Sequence, residues 1–361
     1  MRELLLIPGP TPVNEEVLKE ISRQPISHMS KDFGEYLKKC VEYLKVIFGT
    51  KNGNIFIIPG SGTLGMEIAI KNFLAKEEKA LVISHGFFGD RFLDILEEDS
   101  FSYDKIQSKW GEVIDLNIIY EKLKKEHFSL ITITHVDTST GILAPIEDYM
   151  KVIKDVSYDS LVVLDGVCAT AGVEEKMDEW GIDIILTGSQ KALAVPPGLT
   201  ILAVSERAMK KRENLGKIGF YYGDLLRWKP TIEDATKYFA THNTNYTFGL
   251  KKSLEIILSE GLDNRYKRHY ENASFIRELM KEIGFEVFGN RSHLAPTLSL
   301  FIYPNGIEDE KFRSDLKSKG ITVAAGIKEL KGKVFRMGHM GEVRKEDLQY
   351  AFEVIKEVVK K

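Results

Sequence analysis

Residues 182–199 restrict the fold of this chain more than any other stretch. Ile184, Ile185 and Leu186 form a short apolar run of the kind that makes a buried strand. Thr187, Gly188, Ser189 and Gln190 break the run with small and polar groups, and a single amine follows at Lys191. Pro196, Pro197 and Gly198 then exclude a continuing helix and force a turn. Lysine is almost never fully buried without a partner, and a desolvated ammonium has a lowered pKa that suits it to Schiff-base chemistry. Taken alone, Lys191 reads more readily as a surface lysine that snorkels from a strand end. The rest of the chain has to overturn that.

The same arrangement recurs upstream. Residues 54–58 read as a strand that turns through Pro59, Gly60, Ser61, Gly62 and Thr63 into a helix over 64–74. Small residues ahead of a helix N-terminus leave free N–H groups and a dipole that both favour phosphate, although Gly-Ser-Gly also occurs in ordinary turns. Residues 80–84 form another strand, after which Phe87 and Phe88, between Gly86 and Gly89, open a helix. An aromatic so placed either offers a flat face to a cleft or joins the core. The strand at 130–134 leads into the polar loop His135–Gly141, in which His135 by itself reads as a structural histidine. The strand at 161–164 ends on Asp165, a cap or a functional carboxylate, and Lys191 follows 26 residues later off the end of its own strand. Strands that alternate with helices and collect polar residues at their C-terminal ends predict an α/β sheet with a ligand crevice along one edge.

Outside this series, Pro8-Gly9-Pro10-Thr11-Pro12 predicts a rigid extended arm, with helices at 14–21 and 35–48. Residues 210–222 read as an irregular surface or interface segment, and 238–248 as a polar stretch ahead of helices at 248–258 and 264–283. The remainder predicts a separate α+β unit with strands near 297–302 and 333–337 and helices near 309–319 and 345–360. Arg336 stands inside an apolar strand, a costly place for a guanidinium without an anion to bind.

At 361 residues the chain exceeds one ordinary core and predicts a large and a smaller domain. Its net charge of −3 gives no reason to expect nucleic acid or an anionic membrane as partner. The apolar run at 4–7 is too short for a signal segment or a membrane span. Cys40 and Cys168 offer neither a disulfide framework nor a metal-binding spacing, which points to a reducing, cytoplasmic setting.

A Schiff-base lysine, a carboxylate, a phosphate turn, an aromatic face and a strand-borne arginine together fit one cofactor, pyridoxal 5′-phosphate. The block Gly188-Ser189-Gln190-Lys191-Ala192-Leu193 with Pro196-Pro197-Gly198 carries a family resemblance, as do the opening Pro8-Gly9-Pro10-Thr11-Pro12 and the closing Val334-Phe335-Arg336-Met337-Gly338. Over nearly its whole length the chain resembles the class V aminotransferases of the fold-type I group, in particular the alanine–glyoxylate / serine–pyruvate branch. The resemblance implies an N-terminal arm (1–20), a large domain with a mostly parallel seven-stranded sheet (21–260) and a smaller C-terminal α+β domain (261–361). It implies that Lys191 holds the coenzyme as an internal aldimine and shuttles a proton, while Asp165 pairs with the pyridine nitrogen. Phe88 and Val167 would flank the ring, and Thr138 would contact the coenzyme. Ser61, Gly62, Thr63 and Gln190 would hold the phosphate. Thr244 would reach it from the neighbouring subunit, giving a homodimer with active sites at the interface. Arg336 would pair with the substrate α-carboxylate, and Gly9 would line the substrate site.

By the same resemblance, an amino group would pass from alanine, serine or aspartate to glyoxylate or pyruvate through a pyridoxamine intermediate. Arg91 and Arg227 are the candidates for a second cation that would receive a substrate side-chain carboxylate. Two positions depart from the family pattern: Thr241 stands where relatives often carry tyrosine, and Phe88 where they often carry tryptophan. A cysteine desulfurase or other lyase of this fold is the runner-up, opposed by the lack of any cysteine after Cys168. A catalytically idle binding homologue is the other alternative, opposed by the retention of Lys191, Asp165 and Arg336.

Overall fold

The computed structural model describes residues 3–360. The arm contributes a two-residue strand, β1 (Leu4–Leu5), and leads to α1 (Glu15–Ile21), capped by the Asn14 side chain, and α2 (Lys31–Phe48), capped by Ser30. Strands and helices then alternate: β2 (Asn54–Pro59), α3 (Gly62–Phe73), β3 (Lys79–Ser84), α4 (Phe87–Glu98), β4 (Ser102–Gln107), α5 (Leu116–Lys125) and β5 (Leu130–Thr134). A short hairpin of β6 (Val136–Asp137) and β7 (Ile142–Leu143) precedes α6 (Ile146–Val156), β8 (Leu161–Asp165), α7 (Met177–Trp180), β9 (Ile184–Gly188) and β10 (Leu199–Val204). Four helices follow: α8 (Glu206–Asn214), α9 (Leu225–Glu233), α10 (Thr244–Glu260) and α11 (Leu262–Glu282). The chain closes with β11 (Glu286–Val287), β12 (Leu298–Ile302), α12 (Asp309–Ser318), β13 (Ile321–Thr322), β14 (Ala324–Ala325), β15 (Val334–Gly338) and α13 (Lys345–Val359).

Seven strands form the main sheet in the order β2-β10-β9-β8-β5-β3-β4, all parallel except β10, which runs against both neighbours. A sheet covered on both faces needs strands that are apolar throughout, and β5, β8, β9 and β10 are buried at every residue. Alternate side chains feed two cores. Ile131, Val162, Leu164 and Ile185 join the cluster on one face, and Leu130, Leu161, Val163 and Leu186 the cluster on the other. The edge strand β4 is mostly exposed, as an edge position permits. The expected α/β architecture with a mostly parallel seven-stranded sheet is the one observed.

A four-stranded sheet, β11-β12-β15-β14, forms the C-terminal unit, with its own core of residues such as Phe285, Phe312, Phe335 and Leu348. The arm does not stand free. β1 pairs in parallel with β13, and Leu4 and Leu6 are buried in that C-terminal core. The arm then crosses the end of β15, where the Gly338 N–H donates to the Leu6 carbonyl at 3.0 Å and a Cβ on Gly338 would lie 2.2 Å from the Ile7 carbonyl oxygen.

One expectation fails: residues 206–214, half of which were read as irregular, form the helix α8. Ser205 caps it by accepting the Ala208 N–H at 3.1 Å. Its fully buried Arg212 is held by Asn72 at 3.1 Å and Asp224 at 2.9 Å. Beside this satisfied guanidinium the helix buries only Ala208 and Met209, too few apolar residues for hydrophobic periodicity to reveal it.

Candidate active site

Five of the parallel strands deliver polar residues to one place, because parallel strands all present their C-terminal ends to the same edge. Past β2 come Ser61, Gly62 and Thr63; past β3, Phe88; past β5 and β6, Thr138; at the end of β8, Asp165 and Val167; past β9, Gln190 and Lys191. All line one cavity of about 130 Å3, together with Met66, Arg91, Val136 and Cys168. Two further expected residues adjoin it. Gly9 has φ +120°, and a Cβ there would lie 2.5 Å from Lys191 Cδ and 2.7 Å from Nζ, so only glycine lets the arm lie against this side chain. Arg336 donates to the carbonyls of Ala325 at 2.8 Å and Thr138 at 3.2 Å. Thr244, the first residue of α10, does not line the cavity within one protomer; its hydroxyl donates to Asn245 Oδ1 at 3.1 Å.

The electrostatics of the cavity follow from what is missing around each charge. Burial lowers the pKa of the Lys191 ammonium, and the Arg336 and Arg91 cations lower it further. Its Nζ donates to the Pro8 carbonyl, while the Thr11 hydroxyl donates to the Lys191 carbonyl at 2.8 Å. Burial pushes the Asp165 carboxyl up to about 7, and the Asp137 carboxylate adds to that, while the Val167 N–H, donating to Oδ1 at 2.9 Å, opposes it. Among the described residues Asp165 makes no ion pair, and its Oδ2 has only the Thr134 hydroxyl at 3.5 Å. Burial likewise lowers the pKa of Arg336, which bonds to carbonyls and meets no carboxylate at ion-pair distance among the described residues.

The sequence reading missed the residue that sets the aromatic wall. Asp137 is fully buried, and its Oδ2 accepts the N–H groups of Phe88 and Gly89, both at 3.0 Å. Its Oδ1 accepts from the Ser139 N–H and hydroxyl, and the Ser139 hydroxyl oxygen in turn accepts the Phe87 N–H at 2.9 Å. Two side chains, one at the end of β6 and one in the loop after it, thus cap α4, whose own N-cap is Gly86 and has no side chain to do so. His135 is structural, as expected: its Nδ1 lies 2.9 Å from Glu175, inside the core. Arg227 stacks on Tyr221 beside Asp224, outside the cavity lining.

The cavity fits pyridoxal phosphate. Phe88 and Val167 both line it and can flank a flat ring, and the unpaired Asp165 carboxyl suits a ring N–H. Ser61 makes no side-chain bond to the N-terminal amides of α3, leaving them for a phosphate. Larger grooves of about 520 and 610 Å3 lie elsewhere, the first between α2, β2 and α9, the second beside α5. Neither contains a pairing of a lysine with a depressed pKa and an unpaired buried carboxyl, so size does not mark the chemistry here.

Residues 5–344 match the family described as aminotransferase class-V. An uncharacterized aminotransferase of Methanocaldococcus jannaschii is 40% identical over 344 residues, spanning 94% of this chain and 88% of that protein. The L-aspartate–glyoxylate aminotransferase of Paracoccus denitrificans is 31% identical, spanning 94% and 86%. The crystal structure of an alanine–glyoxylate aminotransferase from Nostoc sp. superposes with a TM-score of 0.95 at 28% identity, covering 99% of this chain and 96% of that one. With a lysine, a carboxylate and an arginine of the required kinds gathered at the edge of the required sheet, the chain belongs to the class-V aminotransferases, enzymes that depend on pyridoxal phosphate.

Proposed function

We propose that this aminotransferase moves the amino group of a small amino acid (alanine, serine or aspartate) to glyoxylate or pyruvate, working as a homodimer in the cytoplasm. The observation that carries the reading is the meeting of Lys191, Asp165 and Arg336 around one cavity, each charged group short of a partner that coenzyme and substrate would supply. Glyoxylate as acceptor and a small amino acid as donor are both supported by the names of the relatives above.

Pyridoxal phosphate, when bound, supplies an aldehyde that condenses with amines and a ring that accepts the electron pair left when a Cα proton departs. Lys191, its ammonium pKa lowered by burial, would supply the amine for that condensation and would carry the proton away from Cα. Asp165 would hold a proton on the ring nitrogen, a role left open by its having no ion pair among the described residues. Arg336 pairs with the substrate α-carboxylate and so fixes which Cα bond faces the amine. The arm, held over Lys191 by Thr11 and Pro8, shields the amine from water. Ser61, Gly62, Thr63 and Gln190 hold the phosphate, and Thr244 contributes to the partner's site. The boundaries between arm, large and small domains fall near residues 20 and 261, the second supported by Gly261 standing between α10 and α11.

A lyase acting through a persulfide would need a mobile cysteine, whereas Cys40 and Cys168 are both buried. The test is the visible spectrum of the purified protein. A yellow band that bleaches on adding alanine, serine or aspartate and returns with glyoxylate or pyruvate is the expected result. A band that no amino acid perturbs would refute the substrates, and Lys191→Ala should abolish the band's protein-bound form.

A further inference from the structure

Arg91 is a cation in the cavity that the roles above leave unused. It lies one turn beyond Phe88 on α4, and its guanidinium carbon sits 4.9 Å above the centre of the Phe88 ring. Its Nη1 donates to the Thr63 hydroxyl at 3.2 Å, the only hydrogen bond it makes among the described residues, so most of its five N–H donors are free. Other buried or half-buried arginines are either paired with carboxylates, as Arg212 with Asp224 at 2.9 Å, Arg265 with Glu260 at 2.8 Å and Arg313 with Asp309 at 2.8 Å, or spread over several oxygens, as Arg277 is over Ser299, Ala295 and Leu298. Arg91 has no carboxylate at ion-pair distance among the described residues. An uncompensated guanidinium on a cavity wall implies an anion that is to come.

Position decides which anion. Thr63 is the second residue of α3, at the turn whose amides lack a side-chain cap, so a hydroxyl, free N–H groups and the guanidinium converge at one end of the cavity. Arg336 bonds instead to the carbonyls of Thr138 and Ala325 and makes no hydrogen bond to that turn among the described residues. We propose that Arg91 is a ligand of the coenzyme phosphate, supplied from within the protomer, rather than a receptor for the side-chain carboxylate of a dicarboxylic substrate. The inference rests on the cavity being the pyridoxal-phosphate site. The guanidinium fork matches phosphate oxygens with two charge-assisted bonds, which lysine's point charge does not reproduce.

The test compares the whole protein with R91Q and R91K, all freed of coenzyme, for binding of pyridoxal phosphate, of pyridoxal, which lacks the phosphate, and of inorganic phosphate. Loss of a charge-assisted bidentate contact corresponds to an affinity loss of about 10- to 100-fold. The expected result is such a loss for pyridoxal phosphate in R91Q, a smaller one in R91K, unchanged affinity for pyridoxal, and thermal stabilisation by inorganic phosphate in the wild type alone. Equal losses for pyridoxal and its phosphate would show a merely structural role and overturn the proposal. Unchanged coenzyme binding, with or without a raised KM confined to aspartate, would overturn it too. Failure of the wild type to bind either aldehyde would instead refute the cofactor reading itself, and is visible without the variants.

Discussion

Asp165 shows how a single carboxyl ties pH to stability. In the coenzyme-free protein burial holds its pKa near 7, against a value of 3.8 for an unperturbed side chain. Between those two values the unfolded chain has lost the proton that the native state keeps, so native stability falls as the pH rises. Below about 3.8 the effect is absent, and above about 7 it is complete. The stability of the wild type relative to Asp165→Asn should therefore decline across that window in denaturant titrations, at about 1.4 kcal/mol per unit of displaced pKa, and a flat difference would refute the assignment. Gly9→Ala places a methyl against Lys191 at a φ that alanine disfavours; we expect a cost of about 1–3 kcal/mol and loss of the visible coenzyme band beyond what thermal melting explains. Lys191, Asp165 and Arg336 were legible in the sequence because each is a charge set in or just after an apolar strand. Met66 and Cys168 were not, since an apolar or weakly polar side chain looks the same in a core and in a cavity wall. Arg91 was visible only as a cation without an address: a helical arginine reveals its direction only once the helix has a neighbour.

At the scale of elements, α4 depends on another segment for its beginning. The capping oxygens belong to Asp137 and Ser139, about fifty residues downstream of the amides they serve. Asp137→Asn would replace one carboxylate oxygen with an N–H2 that cannot accept the backbone N–H groups now bonded there. We expect a loss of about 1–2 kcal/mol, as for other lost caps, with weaker coenzyme retention because Phe88 is among the residues whose N–H is released. A melting curve with and without coenzyme separates the two, and retention unchanged beside a lowered melting temperature would deny Asp137 any influence on the aromatic wall. Helices with an apolar face, such as α2 and α13, could be read from periodicity to within a few residues. α8 could not, because its anchor is Arg212 bonding to Asn72 and Asp224, a contact between distant segments.

For the whole molecule, alternation of apolar strands with helices was enough to predict the sheet and the edge at which the site lies. Nothing local announced that β1 would pair with β13, because two residues in an apolar arm carry no register information. The dimer is a prediction of the same scale. If Thr244 serves the neighbouring site, Thr244→Ala should hold the coenzyme weakly, and mixing its subunits with those of Lys191→Ala should restore transaminase activity in the hybrid, which contains one site with both residues. Absence of rescue after subunit exchange would count against shared sites, and sedimentation as a monomer would exclude them. The arm's pairing also makes the site depend on a distant unit. Leu4 and Ile321 stand far apart in the chain, yet the strand pair they share fixes the segment whose Pro8 carbonyl receives the Lys191 amine. The seven strands of the main sheet all precede residue 205, whereas the surroundings of the amine are complete only once β13 has taken up β1. Loosening the C-terminal unit would therefore release the arm and uncover the amine while leaving intact the sheet that carries it.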